Sequence, residues 1–98
     1  MIINQKNEQG TLYFAPMGRL DTTTASEFER ELMASLDGIT SLVLDFKGVE
    51  YVSSAGLRVI LKAQKRMSAE GNMKISGANA IVMEVFEVTG FADILTIE

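Results

Sequence analysis

The sequence predicts an α/β fold: a mixed β-sheet of about five strands, largely parallel after an N-terminal hairpin, with three helices packed on it. Three observations lead there. A turn-forming Asn7-Glu8-Gln9-Gly10 separates two β-rich runs, apolar residues recur at helical spacing in three later segments, and short apolar runs stand between and after those segments. With 98 residues, 47% apolar and 22% charged, the chain is expected to form one domain over residues 1–98, with no room for a second. A chain of this size buries somewhat over about 60% of its unfolded surface, which suffices for one core. It has no Cys, so that core must be held by packing alone.

The elements follow in order. Ile2 and Ile3 open a first strand, and Thr11 to Met17 form its hairpin partner. Pro16 cannot donate to a ladder, so it belongs at an edge or bulge near the end of that strand, which Gly18 closes. Thr24 followed by Glu27 has the form of a capping box, and Ala25, Phe28, Leu32, Met33 and Leu36 recur at helical spacing, so a first helix runs to about Leu36. Asp37-Gly38 stops it. Leu42-Val43-Leu44-Asp45-Phe46 is continuously apolar enough to read as a central strand covered on both faces.

A loop through Lys47-Gly48 leads to a second helix starting near Ser53 or Ser54, carrying Leu57, Ile60, Leu61 and Met67 on one side and ending at Gly71. Met73 to Ser76 is a short strand. Asn79 is placed to cap a third helix with Val82, Val85 and Phe86 inward, ended by Gly90 before a last strand at Ile94 to Ile97. Each later strand-helix-strand unit favours a right-handed parallel crossover.

Composition excludes several functions. With no His and no Cys there is no imidazole or thiolate, which disfavours zinc sites and removes any Ser-His or Cys-His pair. A net charge of -4 would repel a phosphate backbone, so nucleic acid is not an expected partner. No apolar stretch approaches the roughly 18 residues a membrane span needs, and MIINQKNEQG lacks the features of a signal peptide, so the expected location is cytoplasmic. Neither a Gly-rich nucleotide loop nor a carboxylate pair spaced for acid–base work is present, and no cofactor or metal is expected.

The informative stretch is Asp45-Phe46-Lys47-Gly48-Val49-Glu50-Tyr51-Val52-Ser53-Ser54-Ala55-Gly56-Leu57. It runs from a buried strand into a helix that opens with two hydroxyls. A helix N-terminus presents free N–H groups and partial positive charge, so a phosphate on Ser53 or Ser54 would be stabilised there. Capping alone also explains a Ser-Ser pair, because Ser is a preferred N-cap in any helix. Gly56 would let another chain approach closely. On the helical wheel Arg58, Lys62, Lys65 and Arg66 share an arc of roughly 20° to 120°, which is either a solvated face or a docking surface beside Ser54. Ser54 lies one turn before Arg58, whereas Ser53 projects toward the apolar side. Asp21 complements the dipole of the helix that follows it, and Asp45 is placed to anchor its loop.

Gly18-Arg19-Leu20-Asp21, Asp45-Phe46 to Val49, Tyr51-Val52-Ser53-Ser54-Ala55-Gly56-Leu57 and Val59-Ile60-Leu61 together resemble the STAS domain, the family of bacterial anti-sigma factor antagonists. The resemblance extends over essentially the whole chain. It implies a STAS-like fold and a partner switch. The unphosphorylated antagonist binds an anti-sigma factor that is also an ATP-using serine kinase, and so frees the sigma factor. Phosphorylation of a Ser at the start of the second helix, here Ser54, blocks binding, and a metal-dependent serine phosphatase reverses it. The family's kinase-contacting Asp falls on Asp21, and the expected partner surface comprises Asp21, Ser53, Ser54, Gly56, Arg58 and Lys62.

Two neighbours of Ser54 depart from the commoner family pattern: Ser53 stands where many members carry Asp, and Ala55 where Ser or Thr is usual. The family also commonly ends in another helix, and stopping at Glu98 is expected to leave part of the sheet or its helices less shielded. A second role compatible with the resemblance is an adaptor or stressosome-like or transporter-associated scaffold without sigma factor control. An enzyme using Ser54 with Lys47 or Lys62 as base would need a buried, deprotonated lysine, and both lysines read as exposed. No enzymatic activity is expected.

Overall fold

The computed structural model describes residues 1–98. Strands β1 (Ile2–Glu8) and β2 (Thr11–Leu20) form the expected antiparallel hairpin. Gln9 and Gly10 both take positive φ, 53° and 89°, to reverse the chain in two residues. Helix α1 (Ala25–Ala34), strand β3 (Ser41–Asp45), strand β4 (Val49–Val52), helix α2 (Ser54–Glu70), strand β5 (Asn72–Ser76) and helix α3 (Ala80–Val88) follow. A 3-10 turn at Phe91–Asp93 comes last among the regular elements.

The sheet order is β1-β2-β3-β5, and β4 pairs with β2 off this path. Strand β2 is long enough to serve two parallel partners in succession, β3 along Thr11 to Phe14 and β4 along Gly18 to Leu20. Between those stretches neither partner engages it, and Pro16, which has no N–H to offer, falls in that gap. Gly18 therefore does not end the strand. It takes φ 102°, and the register shifts there as β2 passes from one partner to the other.

Four further expectations need correction. Val49–Val52, read as loop, is strand β4. Four residues following a Lys-Gly turn are too few to display a periodicity. Ile94 to Ile97 is not a strand. After the 3-10 turn only Ile97 bridges Ile75 of β5. Helix α1 stops at Ala34, with Ser35 and Leu36 in the turn beyond it, and no capping box forms. The Thr24 hydroxyl donates instead to the Arg19 carbonyl at 2.7 Å, and Glu27 reaches the Met1 amino group at 2.8 Å.

Finally, β3 is central but covered on one face only. Leu42 and Leu44 join the single core cluster, whereas Val43, though buried, lies outside it, in a row with Tyr13 and Lys74 across the open face. The core ties every layer together: Phe14 of β2 meets Phe28 of α1 at 6.1 Å between ring centroids, and Phe46 meets Phe86 of α3 at 6.4 Å. Each fully buried Phe contributes roughly 1.5–3 kcal/mol of burial. Helix α3 is capped as expected: Asn79 accepts the Val82 N–H at 2.7 Å, while its amide donates to the carbonyls of Val49 and Glu50.

Candidate functional site

The site is set by where β2 and β4 end. Leu20 and Val52 are register partners, and the Ser53 N–H continues the pairing by donating to the Leu20 carbonyl at 2.8 Å. The residues that follow, Asp21 on one side and Ser53-Ser54 on the other, therefore leave the sheet side by side. Helix α2 seats its first turn directly on this edge. A Cβ on Gly56 would lie 2.8 Å from the Leu20 carbonyl oxygen and 3.1 Å from Val52 Cγ1. Gly56 is buried, so its missing side chain allows close approach within the chain and offers nothing to a second one.

The two serines separate cleanly. Ser53 is the N-cap residue by backbone, yet its side chain caps nothing: its Oγ is buried and has no hydrogen-bond partner. Ser54, the first helical residue, is exposed. The first turn of α2 has neither a side-chain cap nor an acidic residue, in contrast to α3, whose N-terminus Asn79 satisfies. A helix of 17 residues thus ends in free N–H groups and uncompensated partial positive charge, one residue from an exposed hydroxyl. Capping, which would have explained the Ser pair without any function, is not what either hydroxyl does.

Asp21 is held rather than free. Its Oδ1 accepts from the Thr23 N–H at 3.0 Å and the Thr23 hydroxyl at 2.7 Å, and its Oδ2 faces Arg19 Nε at 3.4 Å. The Thr23 hydroxyl bond, reinforced by the Thr23 N–H and Arg19, holds the carboxyl below the usual Asp value. Arg19 also lies over the Tyr51 ring, 4.7 Å from its centroid. Arg19 and Tyr51 are register partners on β2 and β4, so the Asp21 loop is braced by a contact that the sequence concealed. Knowing that Tyr51 belongs to a strand beside Arg19 would have revealed it. Asp45 anchors its loop as expected, accepting the Lys47 N–H at 3.0 Å.

The basic stripe of α2 is divided. Lys62 pairs with Glu29 of α1 at 2.8 Å. Arg66 is engaged more fully, meeting Asp37 and Glu70 at 2.8 Å and the Met33 carbonyl at 3.4 Å. These two sew α2 to α1 and the turn after it. Arg58 and Lys65 are exposed and form no ion pair, so the free positive charge of this face resides on them. Lys47 pairs with Asp45, so both lysines considered as a base for Ser54 are occupied by carboxylates. No helix is long and apolar enough to cross a membrane, and no group of three acidic side chains is placed to hold a metal.

The architecture defines a mixed α/β domain that presents one exposed serine at the start of its longest helix. The chain belongs to the STAS domain family, whose model matches residues 3–98. Over 90 residues it is 36% identical to BtrV of Bordetella bronchiseptica, assigned as an anti-sigma factor antagonist, covering 90% of this chain and 78% of that protein. Among solved structures, an anti-sigma factor antagonist from Mycobacterium paratuberculosis superposes with a TM-score of 0.88 at 20% identity, covering 98% of this chain and 83% of the other. Unphosphorylated SpoIIAA, also an anti-sigma factor antagonist, gives 0.83 at 15% identity, covering 99% of this chain and 88% of that one. At those identities the two structures speak for the fold.

Proposed function

We propose that this protein is an anti-sigma factor antagonist working as a phosphorylation-controlled partner switch, with Ser54 as the phosphoacceptor. In its unmodified form it binds an anti-sigma factor that is also a serine kinase and so releases the sigma factor. Phosphate on Ser54 ends that binding, and a serine phosphatase restores it. The observation that carries this reading is the exposed Ser54 hydroxyl on an α2 N-terminus that no side chain caps. SpoIIAA has been solved in both an unphosphorylated and a phosphorylated form, which is in keeping with a fold that tolerates the modification.

The Asp21 loop and the α2 start emerge together, so one partner surface reaches both, with Arg58 one turn further along the helix. Ser53, through its backbone, and Gly56, through its packing, position that surface. The test is incubation with ATP and an anti-sigma factor kinase that binds the chain, followed by mass spectrometry. One phosphate on Ser54, abolished by Ser54→Ala, is expected. Phosphate on Ser53 overturns the assignment of Ser54, and no phosphate despite tight binding overturns the switch and leaves a constitutive adaptor.

A further inference from the structure

Helix α3 is apolar on two sides. Val82 and Phe86 face the core, and Val85, half-buried, packs against it as expected. Ile81 and Val88 carry the apolar surface outward beside Val85, so that Ile81, Val85 and Val88 recur at i, i+4 and i+7 on a second flank within roughly 60° of one another on the wheel. Ile81 is 58% exposed and Val88 76%, and Ile94, just past the 3-10 turn packed on α3, is 51% exposed. Half of the large exposed apolar side chains of the whole chain therefore lie on or just beyond this one short helix. A helix with a second apolar flank in water marks an interaction surface rather than a solvated face.

Charge says what kind of partner fits. Eight of the thirteen acidic residues form ion pairs. The five that do not are Glu31, Glu50, Glu84, Glu87 and Asp93. Three of these lie on α3 and its 3-10 turn, and Glu50 is on β4, where its carbonyl accepts from the cap residue of α3. Glu84 borders the apolar flank on its outward side. From Ile75 to Glu98 the chain contains no lysine or arginine.

A second copy pairing α3 against α3 would bring these acids together, and an anionic lipid surface would meet the same repulsion. We infer that the flank formed by Ile81, Val85 and Val88, bordered by Glu84 and carried on a helix and 3-10 turn that also bear the unpaired Glu87 and Asp93, docks an amphipathic helix of a protein partner whose apolar stripe is bordered by lysine or arginine. This surface does not include Ser54, and the inference does not depend on the partner switch.

The test titrates the full, isotope-labelled chain with a synthetic helical peptide bearing a leucine stripe bordered by lysines, and with its glutamate-bordered counterpart. The lysine peptide is expected to bind at least tenfold more tightly, with chemical-shift changes centred on Ile81, Val85 and Val88. Val88→Asp should weaken it at least tenfold with an unchanged melting temperature, and Glu84→Lys with Glu87→Lys should reverse the preference between peptides. No saturable binding, equal binding of both peptides, or shifts centred on α2 or the open sheet face overturns the inference. Self-association of the chain alone, detected by sedimentation and removed by Val88→Asp, assigns the flank to a second copy and overturns it equally.

Discussion

The carbonyl oxygen of Leu20 lies 2.8 Å from the position a Cβ would occupy on Gly56, so α2 can begin where it does only because residue 56 has no side chain. Substituting Ala at a helical Gly ordinarily gains about 1 kcal/mol of helix propensity. Here the added methyl meets backbone, which cannot swing aside, and overpacking of that kind costs roughly 1–3 kcal/mol. Gly56→Ala is therefore expected to destabilise the fold despite its better propensity, read as a lower urea midpoint at unchanged slope. An unchanged or higher midpoint would show that the start of α2 can slide off Leu20.

The elements that the sequence announced are those with strong local chemistry. The Gln9-Gly10 reversal, the Asn79 cap and the Gly71 stop each depend on residues within a few positions of one another, and each stands where the pattern put it. Strand β4 and the Arg19–Tyr51 contact depend on partners some thirty positions away, and four residues carry too little periodicity to declare themselves. The candidate site was legible for the same reason in reverse. Its serines, Asp21 and Gly56 are fixed by a family pattern. That Gly56 is pressed against the Leu20 carbonyl, and that half of the basic stripe is spent on α1 and the turn after it, could be seen only with the tertiary contacts in place.

Asn79 joins α3 to β4 twice over, capping Val82 and donating to the carbonyls of Val49 and Glu50. Loss of an N-cap costs about 1 kcal/mol, toward 2 in folded hosts, and the two stranded carbonyls place this case at the upper end. Asn79→Ala should lower stability by about 2 kcal/mol in denaturant unfolding, whereas Asn79→Asp should retain most of the cap. Equal losses in both variants would assign the effect to the amide donors instead.

The two halves of the basic stripe should respond differently to charge reversal. Arg66→Glu faces Asp37 and Glu70 with a like charge and should lower the melting temperature. Arg58→Glu breaks no pair and should leave stability unchanged while slowing association with an acidic partner, an effect that shrinks as salt is raised. Melting temperatures and association rates at two ionic strengths separate the two. A salt-independent association rate for Arg58→Glu would remove this face from the docking surface.

Asp21 supplies a pH dependence of definite sign. Its folded pKa lies below the usual 3.8, first because the Thr23 hydroxyl donates to it and then through the Thr23 N–H and Arg19. A carboxylate shifted this way favours the folded loop above its unfolded pKa, and that contribution is lost as the pH falls through the folded value. A carboxyl-carbon NMR titration should find Asp21 titrating below the usual 3.8, and Thr23→Val should move it back toward that value. No movement in Thr23→Val would mean that the backbone N–H groups and Arg19, not the hydroxyl, hold the charge.

Ser53 yields the sharpest contrast between what a residue type usually does and what it does here. An N-cap Ser replaced by Ala ordinarily costs about 1 kcal/mol, because the hydroxyl satisfies a first-turn N–H. The Ser53 hydroxyl satisfies none and is buried without a partner. Leaving a buried polar group unpaired costs about 1–3 kcal/mol, so its removal should relieve that cost while the Ser53 N–H bond to Leu20 persists. Ser53→Ala is thus expected to be as stable as the parent or more so. Ser54→Asp should also hold the fold, since negative charge at this helix start is favourable by about 0.3–1 kcal/mol, while weakening the partner complex. Urea unfolding of both variants, with partner binding measured on each, decides the assignment. A loss near 1 kcal/mol in Ser53→Ala would show that its hydroxyl caps α2 in solution, and the free N-terminus on which the phosphoacceptor reading rests would then be occupied.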